Sequence, residues 1–349
     1  MSLPIPQLDT QEDYRKRFAS ADYWAPYAAH VCRKHGLKPA TDFGCHNPGT
    51  YPTVIVNNRW VIKFFGLLYD GAAAYDMELA VNVIVAENAM IPAPRIVGMG
   101  ALFYGTGTWR WPYLIFEFLA GVHLGQVFDT LDTTERLKIA GHLGFVVRNL
   151  HQIDCTSHAF CITPQRSYYD LIEQQRPGLT ERYQRSRSLP EHLIDQIDGY
   201  LLPSEALTSA YSPVLLHGDI TGDHIMLRQV QGRGSINGLI DFGDACIGDP
   251  DFELVALHLD AFHCNDEMLT AYLHVYGVPE LPRQLWQHKM MSLTLLHRFH
   301  IVQSAVQYMP ELVSVRTLEE VANRLWNPAC HFSDDPTVTS QGASDAVVE

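Results

Sequence analysis

Asp219 and Asp241 stand 22 positions apart, each at the end of an apolar run with glycine close by. The two stretches read "LLHGDITGDHIML" (215–227) and "LIDFGDACIGDPDFEL" (239–254), and His224 lies between the aspartates. A carboxylate delivered by an apolar strand has lost part of its hydration and needs a cation, a donor or a reacting proton. Either triplet, His-Gly-Asp or Asp-Phe-Gly, is common in loops. The ordered pair is the informative feature: strand, His-Gly-Asp, four residues, a metal-capable side chain, a hairpin, a second strand, Asp-Phe-Gly. Phosphoryl transfer needs one carboxylate facing the acceptor hydroxyl and further ligands holding magnesium against phosphates. Two neighbouring strand-end loops can supply both.

The rest of the chain must position these groups. Residues 1–20 are polar and read as an arm. "ADYWAPYAAHVCRKHGL" reads as a helix stopped near Gly36. "TVIV" (53–56) and "WVIKFF" (60–65) are strand-like around an "NNR" turn, and a helical stretch over about 72–87 is ended by "IPAPR". "RIVGMGALFYG" and "WPYLIFEFL" add two strands, so the first third is a small sheet with one inserted helix. Leu137, Ala140, Leu143, Val147 and Leu150 then share one helix face behind an Asp132/Glu135 capping pattern. Residues 155–190 read as loop plus a short helix. The motif strands come next, joined by "QVQGRGS", and Asp249-Pro250 opens the helix "DFELVALHLDAF". Further helices run to Trp326, the last capped by Thr317 and Glu320, before a tail with the composition of a disordered segment. The implied organisation is an arm (1–20), an N-terminal nucleotide-binding lobe (21–117), a C-terminal catalytic and acceptor-binding lobe (118–332) and a tail (333–349). The connector near Glu117–Gly121 is where a cleft between lobes is expected.

Composition narrows the classes. The 349 residues suit one bilobal domain or two domains, and 47% hydrophobic with 18% charged residues reads as globular. A net charge of −14 disfavours a general phosphate-backbone binder and favours cationic small molecules, so no nucleic-acid partner is expected. Seven cysteines with no C-x-x-C pair read as reduced thiols of a cytoplasmic protein; Cys155 and Cys161 lack the histidine spacing of a zinc site. No apolar run reaches membrane-spanning length and no signal pattern opens the chain, so no membrane partner is expected. A metallophosphoesterase would need a further G-H-x-H motif, and none occurs.

The paired motifs resemble those of the aminoglycoside phosphotransferase family, which has a protein-kinase-like fold and includes choline-kinase-type enzymes. The likeness spans roughly residues 40–330. Within the family "DYWAP", "VIKFFG", "IPAPRIVGMG", "GTGTWRWPYLI" and "LHLDAF" most resemble the hygromycin-B 7''-O-kinase branch. The resemblance implies an α/β (α+β) bilobal fold: a small antiparallel-sheet lobe with one helix and a larger, mainly helical lobe. It implies a kinase moving the γ-phosphoryl of ATP or GTP to a hydroxyl of an aminoglycoside or aminocyclitol. A kinase of another amino-alcohol or sugar, or a nucleotide-binding pseudokinase, are the alternatives. "HGD" in place of "HRD", and the short spacing from Asp241 to "GDPDFEL", set the chain apart from protein kinases.

By that resemblance Asp219 is the catalytic base and Asp241 a magnesium ligand. Lys63 grips nucleotide phosphates, with Glu78 as its carboxylate partner in preference to Asp76 or Glu87. The usual Asn is replaced by His224, either a metal ligand or a hydrogen-bond partner of Asp219 or of a metal-bound water. The phosphate loop "GCHNPGTYPTVIV" has only Gly44 and Gly49, with a turn expected at Asn47–Thr50. Glu117, Phe118 and Leu119 would present backbone to the purine. Asp251, Glu253, Asp260 and Glu267 belong to an acidic run that could receive a cationic acceptor's ammonium groups. His217 is expected to be structural, shaping its loop, and His258, His263, His297 and His300, on helical stretches, to be core or surface histidines.

Overall fold

The computed structural model describes residues 3–6, 8, 10–45, 49–104, 109–154, 168–208, 212–230, 233–277, 282–299 and 301–329. The expected tail, the turn at Asn47 and Pro48, Cys155, Cys161 and His300 lie outside them. The chain divides into two compact units, Met1–Gly121 with Asn237–Asp244, and Val122–Ile236 with Ala245–Glu349.

In the first unit, helices α1 (Gln11–Arg17) and α2 (Ala21–Lys34) precede strands β1 (Phe43–Cys45), β2 (Thr53–Val56) and β3 (Trp60–Phe64). Helix α3 (Gly71–Val85) comes next, then β4 (Ile96–Ala101) and β5 (Pro112–Glu117). The strands form one antiparallel sheet in the order β1-β2-β3-β5-β4. Helix α3 is the one helix inserted in the sheet, as the sequence suggested, and α2 is the helix read ahead of it; among the described residues α1 is the addition. Residues 1–20 are more than an arm: Thr10 caps α1, and Tyr14 and Phe18 pack into the same core as Trp24, Ile62 and Phe64. Alternation along β3 decides where its lysine points. Ile62 and Phe64 face that core, whereas Val61 and Phe65 join Ala74, Leu79 and Leu114 in a second one, so Lys63 lies on the α3 side. Gly71 is required where α3 begins, because a Cβ there would lie 1.8 Å from the Gly66 carbonyl oxygen.

Residues 237–244, which the sequence assigned to the second lobe, belong with the first unit. The Leu239 N–H donates to Pro92 O (2.7 Å), Asn237 Nδ2 donates to Ala120 O (2.8 Å), and Asp241 pairs with Lys63.

The second unit is mainly helical. After β6 (Val122–His123) and α4 (Leu124–Val127) comes α5 (Thr133–His151), whose Asp132 and Glu135 form a capping box. Short helices α6 (Tyr168–Gln175), α7 (Leu179–Ser186), α8 (Glu191–Ile194), α9 (Ile197–Tyr200) and α10 (Ser204–Thr208) lead to β7 (Val214–Leu216). Strands β8 (Ile225–Val230) and β9 (Arg233–Leu239) join β6 in a three-stranded sheet, and β10 (Cys246–Gly248) pairs with β7. Helix α11 (Pro250–Ala256) runs into a π-helical turn (Leu257–Ala261) and is followed by α12 (Asp266–Tyr276), α13 (Arg283–Leu296), α14 (Val302–Tyr308) and α15 (Leu318–Leu325). Among the described residues no helix is long and apolar enough to cross a membrane, and Cys32, Cys45, Cys246 and Cys264 are free thiols.

Two interior histidines of this unit carry a pH cost. His258 donates through Nε2 to Leu325 O (2.8 Å), and burial lowers its pKa to about 4. His297 stacks on Phe252 with neither ring nitrogen bonded; burial, aided by the Arg298 charge, lowers it to about 3. The unfolded chain takes up protons below its ordinary histidine value of 6.5 while these native rings stay neutral, so stability falls as pH drops through that value. Relative to wild type, His297→Phe should therefore gain about 2 kcal/mol of unfolding free energy between pH 7.5 and 5. Urea unfolding at both pH values checks this, and a pH-independent difference would contradict it.

Candidate active site

The first unit assembles a buried charge cluster. Lys63 Nζ donates to Glu78 Oε2 (2.7 Å) and to Asp241 Oδ1 (2.8 Å). Lys63 and Glu78 are only 6% and 2% exposed, while the Asp241 side chain keeps 38% of its surface in solvent. Burial alone would strip the ammonium of its proton, but the two carboxylates outweigh it and hold Lys63 above its usual range. Burial pushes Glu78 up to about 7, with Lys63 pulling down and Asp241 adding to the rise. Asp241 sits at φ +69, a left-handed conformation that aspartate tolerates better than bulkier residues. The Lys63 cation also lies 5.4 Å from the Phe65 ring centroid and 5.7 Å from that of Tyr51.

In the connector, the Glu117 N–H donates to Arg95 O and the Phe118 N–H to Arg59 O. These two amides serve the sheet, which leaves carbonyl oxygen as what Glu117 and Phe118 would offer a ligand. Leu119 is half-buried beside them.

In the second unit the loop after β7 is built around backbone satisfaction. Glu253, 1% exposed on α11, accepts from the His217 N–H with Oε2 (2.6 Å) and from the Gly218 N–H with Oε1 (2.9 Å). His151 Nε2 lies 3.6 Å from Oε2, and its Nδ1 bonds the Tyr276 hydroxyl. Gly218 takes φ +82, the left-handed turn that brings Asp219 out of the strand. The Asp219 N–H donates to His217 Nδ1 (3.3 Å), so the His217 ring shapes the loop. His224 Nδ1 donates to the Asp219 carbonyl oxygen (2.6 Å), is 3.1 Å from Thr221 Oγ1, and lies 3.5 Å from the Asp219 carboxylate. In the neutral ring that bond fixes the proton on Nδ1 and makes Nε2 the nitrogen able to face a metal.

The acidic wall expected from Asp251 to Glu267 needs correction. Asp251 is buried and pairs with Lys289 (2.7 Å), which also holds Asp249, the N-cap of α11 (2.6 Å). Glu253 is consumed by the loop amides, and Asp260, half-buried, accepts from the Gly222 N–H (2.8 Å). Of the four, Glu267 alone is exposed. Buried carboxylates are retained where donors match them, so an acidic run in sequence can be internal wiring. Burial and Asp251 push Asp249 up to about 6 against the pull of Lys289. Lys289 and the positioning role of Glu253 escaped sequence reading. A lysine opening the uncharged stretch "KMMSLTLL" of α13 was the available signal for the first.

Among the described residues no group of three or more His, Cys, Asp or Glu comes together as a metal cluster. Magnesium commonly takes one or two protein ligands and completes its octahedron with phosphate oxygens and water. Taken singly, Asp241 offers a partly exposed carboxylate that fits that habit, and His224 offers an imidazole nitrogen, the poorer kind of magnesium ligand.

Because Glu253 uses a different oxygen for each amide, Glu253→Gln sets an NH₂ group against one backbone N–H. We expect a loss of about 1–3 kcal/mol of unfolding free energy, measured by urea denaturation. No change would show that the two bonds contribute nothing net.

The sequence matches the profile of the phosphotransferase enzyme family over residues 44–286. A curated relative, the lysine-specific demethylase JMJ21 of Arabidopsis thaliana, is 22% identical over 271 residues; these cover 62% of this chain, which spans 29% of that protein's length. The fold is similar to the GDP complex of wild-type aminoglycoside 2'-phosphotransferase-IIIa (18% identity, TM-score 0.62, 85% of this chain and 97% of that one). It is also similar to the GDP and kanamycin complex of APH(2'')-IIIa (19%, 0.64, 85% and 99%) and to a streptomycin–ATP–APH(2'')-IIa ternary complex (19%, 0.52, 86% and 98%). At these identities the likeness shows the fold: an antiparallel-sheet N-terminal unit and a helical C-terminal unit of protein-kinase-like type.

Proposed function

The chain belongs to the phosphotransferase enzyme family, and we propose that it phosphorylates a hydroxyl of a small cationic aminocyclitol, using a nucleoside triphosphate. The observation that carries the reading is the Lys63–Glu78–Asp241 cluster, a buried cation held ready beside a partly exposed carboxylate. Solved structures of similar fold hold GDP, ATP, kanamycin or streptomycin, which supports a nucleotide and an aminoglycoside-like acceptor.

In this reading the Asp219 carboxylate orients the acceptor hydroxyl and takes its proton as the oxygen attacks the γ-phosphorus. The bond to the β–γ bridging oxygen breaks, releasing the nucleoside diphosphate and a phosphate ester. Lys63 neutralises phosphate charge, and Glu78 keeps the lysine in place. Magnesium, when bound, would be held by Asp241, with or without His224, and would neutralise charge developing on the phosphates. Carbonyl oxygen of Glu117 and backbone of Leu119 would meet the purine. With Asp251 and Glu253 committed internally, an acidic acceptor surface would draw on Glu267 and other exposed carboxylates; the net charge of −14 favours a cationic acceptor. The stretches "GTGTWRWPYLI" and "LHLDAF" favour hygromycin B as the first compound.

Asp219→Ala should lower kcat by about 10²–10⁴-fold while leaving nucleotide affinity nearly intact, whereas Asp241→Ala should also weaken metal-dependent nucleotide binding. Turnover and nucleotide titration on the purified variants check this; wild-type turnover in either would refute the mechanism.

The acceptor is tested by an ADP- and GDP-release screen over aminoglycosides, aminocyclitols, choline and homoserine. Hygromycin B or a close aminocyclitol should give the highest kcat/KM, with KM rising in salt. Faster turnover of a neutral or anionic metabolite would reject the acceptor and keep the kinase.

A further inference from the structure

Asp260 lies on the π-helical turn Leu257–Ala261, and its Oδ1 accepts the N–H of Gly222, which is buried. Gly222 belongs to the turn Thr221–Asp223, directly before His224, and that turn is held from a second side. The Gly125 N–H donates to Gly222 O (3.0 Å), and His123 Nδ1 donates to Asp223 O (2.5 Å). The two glycine backbones touch; a Cβ on Gly222 would lie 3.0 Å from Gly125. His224 takes its place from this turn, its backbone N–H donating to Thr221 O (3.0 Å) and its ring engaging Asp219 O and Thr221 Oγ1.

The helix around Asp260 is irregular in the manner that redirects a side chain. A π-turn inserts an extra residue, and the chain leaves it through His263 and Cys264, both non-glycine residues with left-handed φ (+50 and +58). The His263 ring stacks on Tyr308 (centroids 4.0 Å) and meets Phe128 at a tilt (3.7 Å), and the Cys264 N–H returns to His258 O (2.9 Å). Strain at two successive residues persists only where surrounding contacts outweigh it, and here the bond from Gly222 to Asp260 lies at the end of that arrangement.

We propose that Asp260 is a positioning residue for His224: by holding the Gly222 N–H it sets the turn that presents the His224 ring, and with it the Asp219 carbonyl, to the metal–nucleotide side of the reaction. This rests on the kinase reading, and it takes Asp260 out of the acceptor-binding role that its acidity suggested.

The test compares Asp260→Ala and Asp260→Asn in the full chain. The asparagine keeps a carbonyl oxygen for the Gly222 N–H but loses the charge. Readouts are Mn²⁺ binding with GDP or ADP by electron paramagnetic resonance, kcat, KM for the acceptor, and Tm. D260A should weaken Mn²⁺ binding by about ten-fold or more, the scale of one lost hydrogen bond to a charged acceptor. Its kcat should fall with little change in acceptor KM, and D260N should recover most of both losses. If D260A does not fold, D260N decides: Mn²⁺ binding near wild type supports positioning, and its loss in a folded D260N overturns it. A rise in acceptor KM of similar size in both variants, with Mn²⁺ binding intact, also overturns it and returns Asp260 to the amines. Wild-type protein that binds no Mn²⁺ with nucleotide overturns the kinase reading and this inference together. Wild-type binding unaffected by D260A overturns this inference alone.

Discussion

A buried ammonium survives only among carboxylates, and Lys63 imposes that condition on the first unit. It stands on the strand face that α3 covers, so one carboxylate must come from α3, and Glu78 supplies it. A second comes from Asp241, 178 residues further along the chain, and this pairing helps tie residues 237–244 to the unit. One cation serving two carboxylates leaves the cluster with an unbalanced negative charge. Glu78, with almost no water, responds by rising toward neutrality, while Asp241 keeps solvent contact. That division gives the two carboxylates different chemistry: one anchors, the other remains able to meet a ligand.

The second unit solves a related problem with donors in place of cations. The loop between β7 and Asp219 exposes two backbone N–H groups to an apolar interior, and the Glu253 carboxylate takes one on each oxygen. Glu253 can do so because α11 begins where it does. Its N-cap Asp249 and first-turn Asp251 are both held by Lys289 from α13. Such a pair of carboxylates on one lysine is expensive to bury and poorly tolerant of losing the lysine, so it fixes one register for the helix. The geometry of Asp219 is thus set by charges remote from it in sequence.

The acidic balance of the chain has a double use. Part of it lies inside, in Glu78, Asp249, Asp251, Glu253 and much of Asp260, where it neutralises lysines and satisfies amides. The remainder is available to solvent and to cationic ligands. Net charge therefore bears on the acceptor only after the internal carboxylates are set aside, which is why counting the Asp251–Glu267 run overstated an amine-binding wall.

The order and kind of the principal elements can be read from local sequence. Short continuous apolar runs mark β2, β3 and β5, an i, i+3, i+4 face with the Asp132/Glu135 box marks α5, and Asp249-Pro250 marks the start of α11. For Lys63, a lone lysine in an apolar strand calls for an anionic partner, and it is the family resemblance that looks for it on the next helix, where Glu78 pairs with it. These are local or one-step inferences, resting on short-range sterics and desolvation. Only the folded chain reveals which acidic residues face inward, that Lys289 reaches both Asp249 and Asp251, that residues 1–20 contribute Tyr14 to the core, and that a π-turn aims Asp260 at Gly222. Each depends on which helix packs against which strand. A carboxylate's role is set by the donor that arrives from elsewhere in the chain, and side-chain identity carries no record of that distance.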